Sequence, residues 1–351
     1  MLSQAFSTIW PILAALLFFG IIIMTHELGH FIFARLFKVK INEFSIGMGP
    51  AILKKQRGET EYALRILPIG GYVAMEGEDE ESEDENSFNK KPAWQRAIII
   101  VAGATVNLIT GVLIMAIILS NTPLIGTPEI VEFADNAASE AGGLRAGDKI
   151  VAINENKVFT EYDLSYFMMR DEDAVIDFVV ERDGELMPVR SVKFDTREIE
   201  GVTAVVYDFS ILGIEPSFGS VAKYAVLNSF SVARIVFVSF IDIVTMNFSL
   251  NELSGPVGTV DIIADTTTEA VNTMDFSTLL TMMAFIAINI GVFNLIPFPA
   301  LDGGRFFLII IEGITRKKIP ANVEAAINTA GLALLLGLMV VVTVNDIIKI
   351  F

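Results

Sequence analysis

Residues 9–33 read IWPILAALLFFGIIIMTHELGHFIF, a long apolar run that ends in a group of ionisable side chains. Residues 1–25 contain no charged side chain, and such a run is long enough to cross a hydrocarbon core about 30 Å thick. It has neither the charged beginning nor the small-residue cleavage site of a secretory signal. We therefore expect it to stay in the mature protein as a first membrane-spanning helix.

The composition supports a membrane protein. Of 351 residues, 53% are hydrophobic, yet the net charge is −17, so apolar and acidic residues must lie in different stretches. The absence of cysteine excludes disulfide scaffolds, thiol nucleophiles and thiolate metal sites. The acidic balance argues against nucleic acid as a partner.

Further uncharged runs predict three more spans, over residues 97–119, 276–301 and 325–345. Residues 221–248 are also apolar, but charged side chains interrupt them at roughly helical spacing. For that stretch we predict an amphipathic helix at the membrane surface, and a fifth span is the alternative.

The distribution of lysine and arginine predicts the orientation. Residues 34–96 hold ten of them and residues 303–323 add four, whereas the first eight residues have none. The positive-inside rule places these two loops in the cytoplasm. About four spans then put both termini, and the segment between the second and third spans, outside the cytoplasm.

The polar segments predict two smaller pieces. Residues 124–215 alternate strand-like runs, glycine turns and a helical stretch, which indicates one inserted α/β domain. Residues 41–75 read as short strands with glycine turns. The acidic run 76–85 (EGEDEESEDE) is typical of a solvated, disordered linker, and metal attraction or partner binding is the alternative.

Both histidines of the chain lie in HELGH, as His26 and His30. A spacing of four puts the two imidazoles on one helix face, where they can hold one metal ion, and Glu27 can still reach a water on that ion. This is the HExxH arrangement of zinc hydrolases. Ionisable groups inside a span are costly and usually functional, which favours a metal site over unrelated polar residues.

A catalytic zinc ion takes three protein ligands, and without further histidine or cysteine the third must be a carboxylate. Asp302, in NLIPFPALDGGR (294–305), lies at the cytoplasmic end of the predicted third span, at the depth of the histidines. Asp242, Glu312 and Asp346 are alternatives. They fall in interfacial or terminal positions and lack the glycines that let a backbone approach a site.

Three motifs together resemble the site-2 protease family of intramembrane zinc metalloproteases, and within it the regulator-of-sigma-E protease group. They are HELGH, NLIPFPALDGG and, between them, GGLRAGDKIVAINENKV (142–158), which resembles a PDZ domain. The supporting pieces are GGYVAM (70–75), GATVN (103–107) and SGPVG (254–258). This chain departs from the Gram-negative members in having one PDZ-like segment rather than two.

The resemblance implies a polytopic α-helical membrane protein with about four transmembrane helices, an inserted extracytoplasmic PDZ-like α/β domain and a small membrane-associated β-element. The expected segments are the first transmembrane helix at 1–37, the cytoplasmic β-element and acidic loop at 38–92, the second transmembrane helix at 93–120, the PDZ-like domain at 121–216, amphipathic interfacial helices at 217–275 and the last two transmembrane helices at 276–351.

The resemblance also implies the chemistry. One Zn²⁺ ion would be held by His26, His30 and Asp302, and Glu27 would act as general base and later protonate the leaving amine.

Substrate contacts are expected in three places. In the later span, Pro297 and Pro299 would free backbone groups beside the metal, and the Asn294 amide would bond the substrate or the developing oxyanion. The alternative is that the prolines only kink the helix and Asn294 packs against it.

The other two places also have structural alternatives. Gly103 and Asn107 contact the substrate or serve close helix packing. Gly70, Gly71 and Tyr72 offer an exposed strand edge to an extended substrate or form a plain turn.

The function implied is cleavage within or near transmembrane segments of single-span membrane proteins, such as anti-sigma factors or signal-peptide remnants, after trimming by another protease. The enzyme would lie in a bacterial inner or plasma membrane, with its active site near the cytoplasmic side. The PDZ-like domain would bind a peptide or protein ligand beside a strand near 130–133 and a helix near 162–169.

Two alternatives belong to other classes. A ZIP-like metal transporter would need more spans and more histidines, and an inactive PDZ scaffold would not need Glu27.

Overall fold

The computed structural model describes residues 2–78, 80, 82–171, 173–199, 202–245, 256–317 and 319–350. Two compact units are present, one formed by residues 1–111 and 239–351 and the other by residues 112–238. In chain order the elements are α1 Leu2–Leu36, β1 Ile41–Arg57, β2 Thr60–Met75, a 3₁₀ turn Phe88–Lys90, α2 Ala93–Asn121, β3 Ile125–Phe133, α3 Ala138–Ala141, β4 Lys149–Ile153, β5 Asn156–Lys157, α4 Glu161–Met169, β6 Val175–Arg182, β7 Glu185–Lys193, β8 Thr196–Ile199, β9 Val202–Val205, β10 Phe209–Ile214, α5 Phe218–Val244, α6 Pro256–Thr273, α7 Ser277–Leu295, α8 Asp302–Thr315 and α9 Ala321–Ile350.

Five helices of the described residues are long and apolar enough to cross a membrane. They are Leu16–Leu36, Ala93–Asn121, Phe218–Val244, Ser277–Leu295 and Asn322–Ile348. Four correspond to the predicted spans. The fifth, α5, is the stretch for which we predicted a surface helix with a span as the alternative, and both placements stay predictions because length and composition fit either.

The predicted third span, 276–301, differs from the structure. Helix α7 ends at Leu295, and a new helix, α8, begins at Asp302. Pro297 explains the break, because a proline drives the preceding residue out of the helical region, and Ile296 has φ −64° and ψ 134°. Asp302 therefore lies in the first turn of a helix instead of at the end of one.

Glycines bring α1, α2 and α7 into close contact. A Cβ atom on Gly29 would lie 2.5 Å from the Ala102 carbonyl oxygen, and one on Gly111 would lie 2.4 Å from Ile288 Cγ1. Side chains larger than hydrogen do not fit at such distances. Small residues at helix crossings are the usual means of packing helices within a membrane.

Strands β1 and β2 form a long antiparallel hairpin with several register shifts. Phe44 of β1 pairs both with Tyr62, near the start of β2, and with Val73, near its end. The first half of β1 thus lies between the start and the end of β2. Among the described residues, the end of β2, 71–75, has a strand partner on one side only. The predicted β-element therefore has an edge at GGYVAM, which Gly70 enters with φ +79°.

The acidic run after β2 is partly tied down, unlike the disordered linker that we expected. Asp84 pairs with Lys40 at 3.0 Å, and Glu78 pairs with Arg305 of α8. Residues 79 and 81 lie outside the described part of the chain.

Residues 217–275, where we expected interfacial helices, contain α5 and α6. Residues 246–255, including the first two of SGPVG, lie outside the described part of the chain.

The second unit is built on a six-stranded sheet in the order β10-β3-β4-β6-β7, with β5 paired to β4. Ile176, Phe178 and Val180 alternate along β6 and are almost fully buried, which is the two-residue period of a strand with one face on a core. This core also contains side chains of α4, among them Leu164 and Phe167.

The strand expected to line the peptide groove, 130–133, is the last part of β3. Ile130 pairs with Ile211 of β10 on one side, and its N–H donates to Asp148 O on the other. In the described part of the unit, β10 and β7 are the outer strands of this order. Helix α4 packs against β3, so the expected strand and the expected helix lie next to each other.

Asp163 of α4 is an enclosed carboxylate of the second unit, with a side chain that is 0% exposed. Its Oδ2 accepts hydrogen bonds from the Phe159 N–H at 2.9 Å, the Thr160 N–H at 3.2 Å and the Ser231 hydroxyl at 2.6 Å. Its Oδ1 accepts from Arg234 of α5 at 2.7 Å. The carboxylate caps α4 and pairs with the one cation that reaches it from α5.

Candidate metal centre

His26 and His30 lie one turn apart on α1, and both are 7% exposed. Their Nε2 atoms are 3.1 Å apart, so the two rings point at one place. The i, i+4 spacing of a regular helix is sufficient to produce this arrangement.

The loop between α7 and α8 brings Asp302 to the same place. A Cβ on Gly303 would lie 2.1 Å from Ile296 O, and one on Gly304 would lie 2.3 Å from Phe298 O. These two glycines let the first turn of α8 fold back onto the proline-containing loop. The resulting path directs the Asp302 carboxylate at the histidines.

Three ligand atoms converge within the first unit. Asp302 Oδ2 lies 3.1 Å from His26 Nε2 and 3.2 Å from His30 Nε2. These distances resemble the edges of a tetrahedron around zinc, which are about 3.3 Å for metal–ligand bonds of about 2.0 Å. The residues present therefore fit one zinc ion with an open fourth position.

The hydrogen bonds support the same conclusion. His30 Nδ1 lies 2.9 Å from Ile99 O and donates to it, which leaves the Nε2 lone pair facing Asp302. Asp302 Oδ2 is buried and has no hydrogen-bond donor among the described residues. The lone pairs of the two Nε2 atoms and of Asp302 Oδ2 repel one another at these distances unless a cation lies between them. Because three such atoms surround one point, the cation that fits best is a metal ion.

Gly103 of α2 makes room for the imidazoles. A Cβ there would lie 2.3 Å from His30 Nε2 and 2.9 Å from His26 Cε1. The structure thus places Gly103 against the histidine rings. This position favours the role in close packing over the role in substrate contact.

Asn107, one turn further along α2, is also enclosed. It is fully buried, and its Oδ1 accepts a hydrogen bond from the Thr25 hydroxyl at 2.9 Å. It therefore holds the residue before His26.

Glu27 lies beside the edge of the β-hairpin. A Cβ on Gly71 would lie 3.6 Å from Glu27 Cγ and 2.7 Å from Ser45 O, so Gly71 is enclosed between α1 and β1. The Val73 backbone hydrogen-bonds to the Glu27 carboxyl. The structure therefore brings the predicted base and the predicted strand edge together.

Tyr72, in the same strand, has a separate environment. Its hydroxyl accepts a hydrogen bond from Arg65 at 2.6 Å, and Arg65 also pairs with Glu43 at 2.6 Å. Burial raises the pKa of Tyr72, and the hydrogen bond with Glu43 raises it further. The phenol therefore stays neutral and fixed to the hairpin.

The alternative carboxylates lie elsewhere. Glu312 pairs with Arg96 of α2 at 2.6 Å, and Asp346 accepts a hydrogen bond from the Gly258 N–H at 2.9 Å. Among the described residues, the one group of three or more such side chains close enough to hold a metal is His26, His30 and Asp302.

Three predicted substrate residues lie in or next to the loop after α7. Asn294 is half-buried, and its side chain has no hydrogen-bond partner within the described residues, which leaves its amide available. Pro297 is exposed. Pro299 packs against α9, because a Cβ on Gly331 would lie 2.4 Å from Pro299 Cβ.

Sequence reasoning missed two residues that position the histidines, Ile99 and Gly29. Ile99 contributes only a carbonyl, so its side chain carries no signal. Gly29 did carry one, since small residues in two neighbouring spans, here Gly29 and the predicted Gly103, indicate a close crossing.

Comparison with known proteins agrees with this geometry. The family model of peptidase family M50 matches residues 14–338. A Clostridium acetobutylicum protein named as a candidate zinc metalloprotease is 36% identical over 341 residues, which cover 96% of this chain and 97% of the relative.

Two relatives carry the name RasP. The zinc metalloprotease RasP of Shouchella clausii is 31% identical, over 97% of this chain and 99% of the relative. The regulator of sigma-W protease RasP of Bacillus subtilis is 28% identical, with the same coverage. The predicted enzyme class and zinc cofactor are confirmed. The chain belongs to peptidase family M50 and is a multi-pass membrane zinc metalloprotease of the site-2 type, in the RseP/RasP-like group.

Proposed function

We propose that His26, His30 and Asp302 hold the zinc ion and that Glu27 is the general base of peptide-bond hydrolysis. The observation that carries this proposal is the approach of the three ligand atoms to within 3.1–3.2 Å of one another. Bound zinc supplies a Lewis acid that acidifies water and polarises a carbonyl group.

The residues of the chain would divide the remaining work. Glu27 takes the proton that the attacking water loses and passes it to the nitrogen of the breaking C–N bond, so that the amine leaves neutral. The Ile99 carbonyl holds His30 in the tautomer that leaves Nε2 free. The Asn294 amide, which has no partner among the described residues, is available to donate a hydrogen bond to the developing oxyanion.

The proposed substrate is a transmembrane segment of a single-span protein. Its carbonyls are hydrogen-bonded within a helix, so it must unwind before water can attack. The edge at Gly71–Met75 lies beside Glu27 and offers backbone groups to an extended chain. Strand addition there would hold an unwound segment close to the base.

We further propose that residues 121–216 form a PDZ-like domain that admits substrates already trimmed by another protease. Its peptide ligand would bind between α4 and the neighbouring strand near 130–133. The relative named regulator of sigma-W protease supports a regulatory role, so membrane-bound anti-sigma factors are one proposed substrate class and signal-peptide remnants another.

The proposed orientation has both termini and the PDZ-like domain outside the cytoplasm, with the metal centre near the cytoplasmic face. It follows from the lysine and arginine content of residues 34–96 and 303–323. If α5 spans the membrane, the number of spans becomes odd and the two termini lie on opposite sides.

The test is cleavage of a single-span reporter by the purified wild type and by Glu27→Gln, with zinc measured in both. We expect the variant to retain zinc and to lose about 10²–10⁴-fold in rate, the usual contribution of general acid–base catalysis. Glu59→Gln, at the exposed hairpin tip, removes the same charge and should cleave normally. Cleavage by Glu27→Gln at the wild-type rate would rule out this base.

A pair of reporters tests the trimming proposal. The two carry the same transmembrane segment, and one also has a folded outer domain. We expect the trimmed reporter to be cleaved faster, and equal rates would contradict size selection.

A further inference from the structure

A basic cavity of about 220 Å³ lies where α1 ends and the β-hairpin begins. It is lined by residues 35, 38–41, 57–60 and 86. Its charged lining consists of four cations and one anion, namely Arg35, Lys38, Lys40, Arg57 and Glu59. This is a local excess of positive charge in a chain whose net charge is −17.

Three of these four cations have no carboxylate partner among the described residues. Lys40 is the exception, since it pairs with Asp84 at 3.0 Å. Arg35 contacts only neutral groups, the Tyr62 hydroxyl at 3.4 Å and the Phe31 ring at 5.4 Å from its centroid. The cavity thus has cationic charge that the described residues do not neutralise.

The cavity lies at the end of the first apolar helix. The candidate span ends at Leu36, whose side chain is 66% exposed. Next to it, Phe37 meets Trp94 edge to face with ring centroids 5.4 Å apart, and Trp94 is 58% exposed. Exposed tryptophan and cations at the end of a span mark the level of the lipid headgroups.

We propose that this cavity binds a phosphate group at the membrane surface. The guanidinium groups of Arg35 and Arg57 carry planar sets of N–H donors that match pairs of phosphate oxygens, and Lys38 adds a point charge. The group comes from one of two sources, an anionic phospholipid headgroup or soluble phosphate. The cavity is smaller than the roughly 300–1,000 Å³ of small-molecule pockets, so it fits a headgroup and not a whole lipid.

The test uses the purified full chain in a non-ionic detergent. Native mass spectrometry measures bound phosphatidylglycerol and, separately, phosphatidylcholine with the same acyl chains. For Arg35→Gln/Arg57→Gln we expect about 30-fold weaker binding of phosphatidylglycerol, from about 1 kcal/mol for each cation at an anionic surface and 1.4 kcal/mol per tenfold. Binding of phosphatidylcholine should not change.

A control of equal charge is Lys54→Gln/Lys55→Gln, on the same hairpin but outside the cavity lining. It should bind phosphatidylglycerol like the wild type. Competition by millimolar inorganic phosphate, together with arginine-dependent phosphate binding, would assign the site to soluble phosphate. Equal lipid binding by the wild type and both double variants, without arginine-dependent phosphate binding, would overturn the proposal.

Discussion

Two enclosed aspartates, one in each compact unit, have opposite environments. Asp163 has a fully buried side chain and accepts hydrogen bonds from four donors, including Arg234. Asp302 is partly enclosed, and its Oδ2 has no donor among the described residues but lies against two imidazole nitrogens. A carboxylate whose lone pairs are all satisfied is part of the structure, whereas one whose lone pair faces other lone pairs is prepared for a cation.

The largest expected effect is that of Asp302→Asn, which keeps the shape of the side chain and removes its charge. We expect zinc affinity and cleavage to fall by more than the roughly 10–100-fold that follows loss of a partner of a metal ligand. Metal analysis after dialysis and reporter cleavage measure both. The fold should persist, because no hydrogen bond to Oδ2 is lost, and wild-type zinc content in this variant would exclude Asp302 as a ligand.

Asp163→Asn should have the reverse effect. It leaves Arg234 enclosed without an anion, so the free energy of opening the second unit should fall by about 3–5 kcal/mol while zinc content stays unchanged. Hydrogen exchange of residues 112–238 in the full chain measures this, and Asp135→Asn is the exposed control.

Adding Arg234→Met to Asp163→Asn should recover part of the loss, since the unpaired charge is then gone. Exchange that is unchanged in Asp163→Asn would show that the pair contributes little.

Gly103→Ala tests the packing around the metal centre. The added methyl group would overlap His30 Nε2, so the rings must move, and we expect a loss of zinc affinity of about 10–100-fold. Gly337→Ala on α9 is the matched control, because a Cβ there meets no atom within 4 Å. Equal zinc affinity in the two variants would indicate that α1 and α2 can move apart to accommodate the methyl group without weakening metal binding.

The smallest expected effect concerns a third carboxylate, Glu161, which lies against Gly126. Among the described residues it has neither the donors of Asp163 nor the ligand partners of Asp302. Burial raises the pKa of Glu161 above its ordinary value of 4.5. The folded state then binds more protons than the unfolded state, so its contribution to stability falls as pH rises through the interval above 4.5.

The melting temperature of Glu161→Gln minus that of the wild type should be larger at neutral pH than at pH 4. Glu140→Gln, at an exposed site, should show less of this trend. A pH-independent difference for Glu161→Gln would contradict the assignment.

Much of the fold could be predicted from local pattern. The uncharged runs predicted four helices that the structure contains, and the glycine-punctuated strands predicted the hairpin at 41–75. Pro297 and Pro299 were expected to interrupt or kink the later span, since proline disrupts a helix whatever surrounds it. The start of a separate helix at Asp302 was missed because hydrophobicity continues as far as Leu301. The outer position of β10 depends on strand order, which a single strand does not encode.

The sequence by itself determined His26, Glu27 and His30 as a candidate site, because helical periodicity relates residues four apart without help from the rest of the chain. It also limited the third ligand to a carboxylate. Only the tertiary structure decided that Asp302 meets the histidines, that Gly103 and the Ile99 carbonyl orient them, and that Gly71 lies beside Glu27. These contacts join helices and strands far apart in the chain, so they depend on packing that no local pattern specifies.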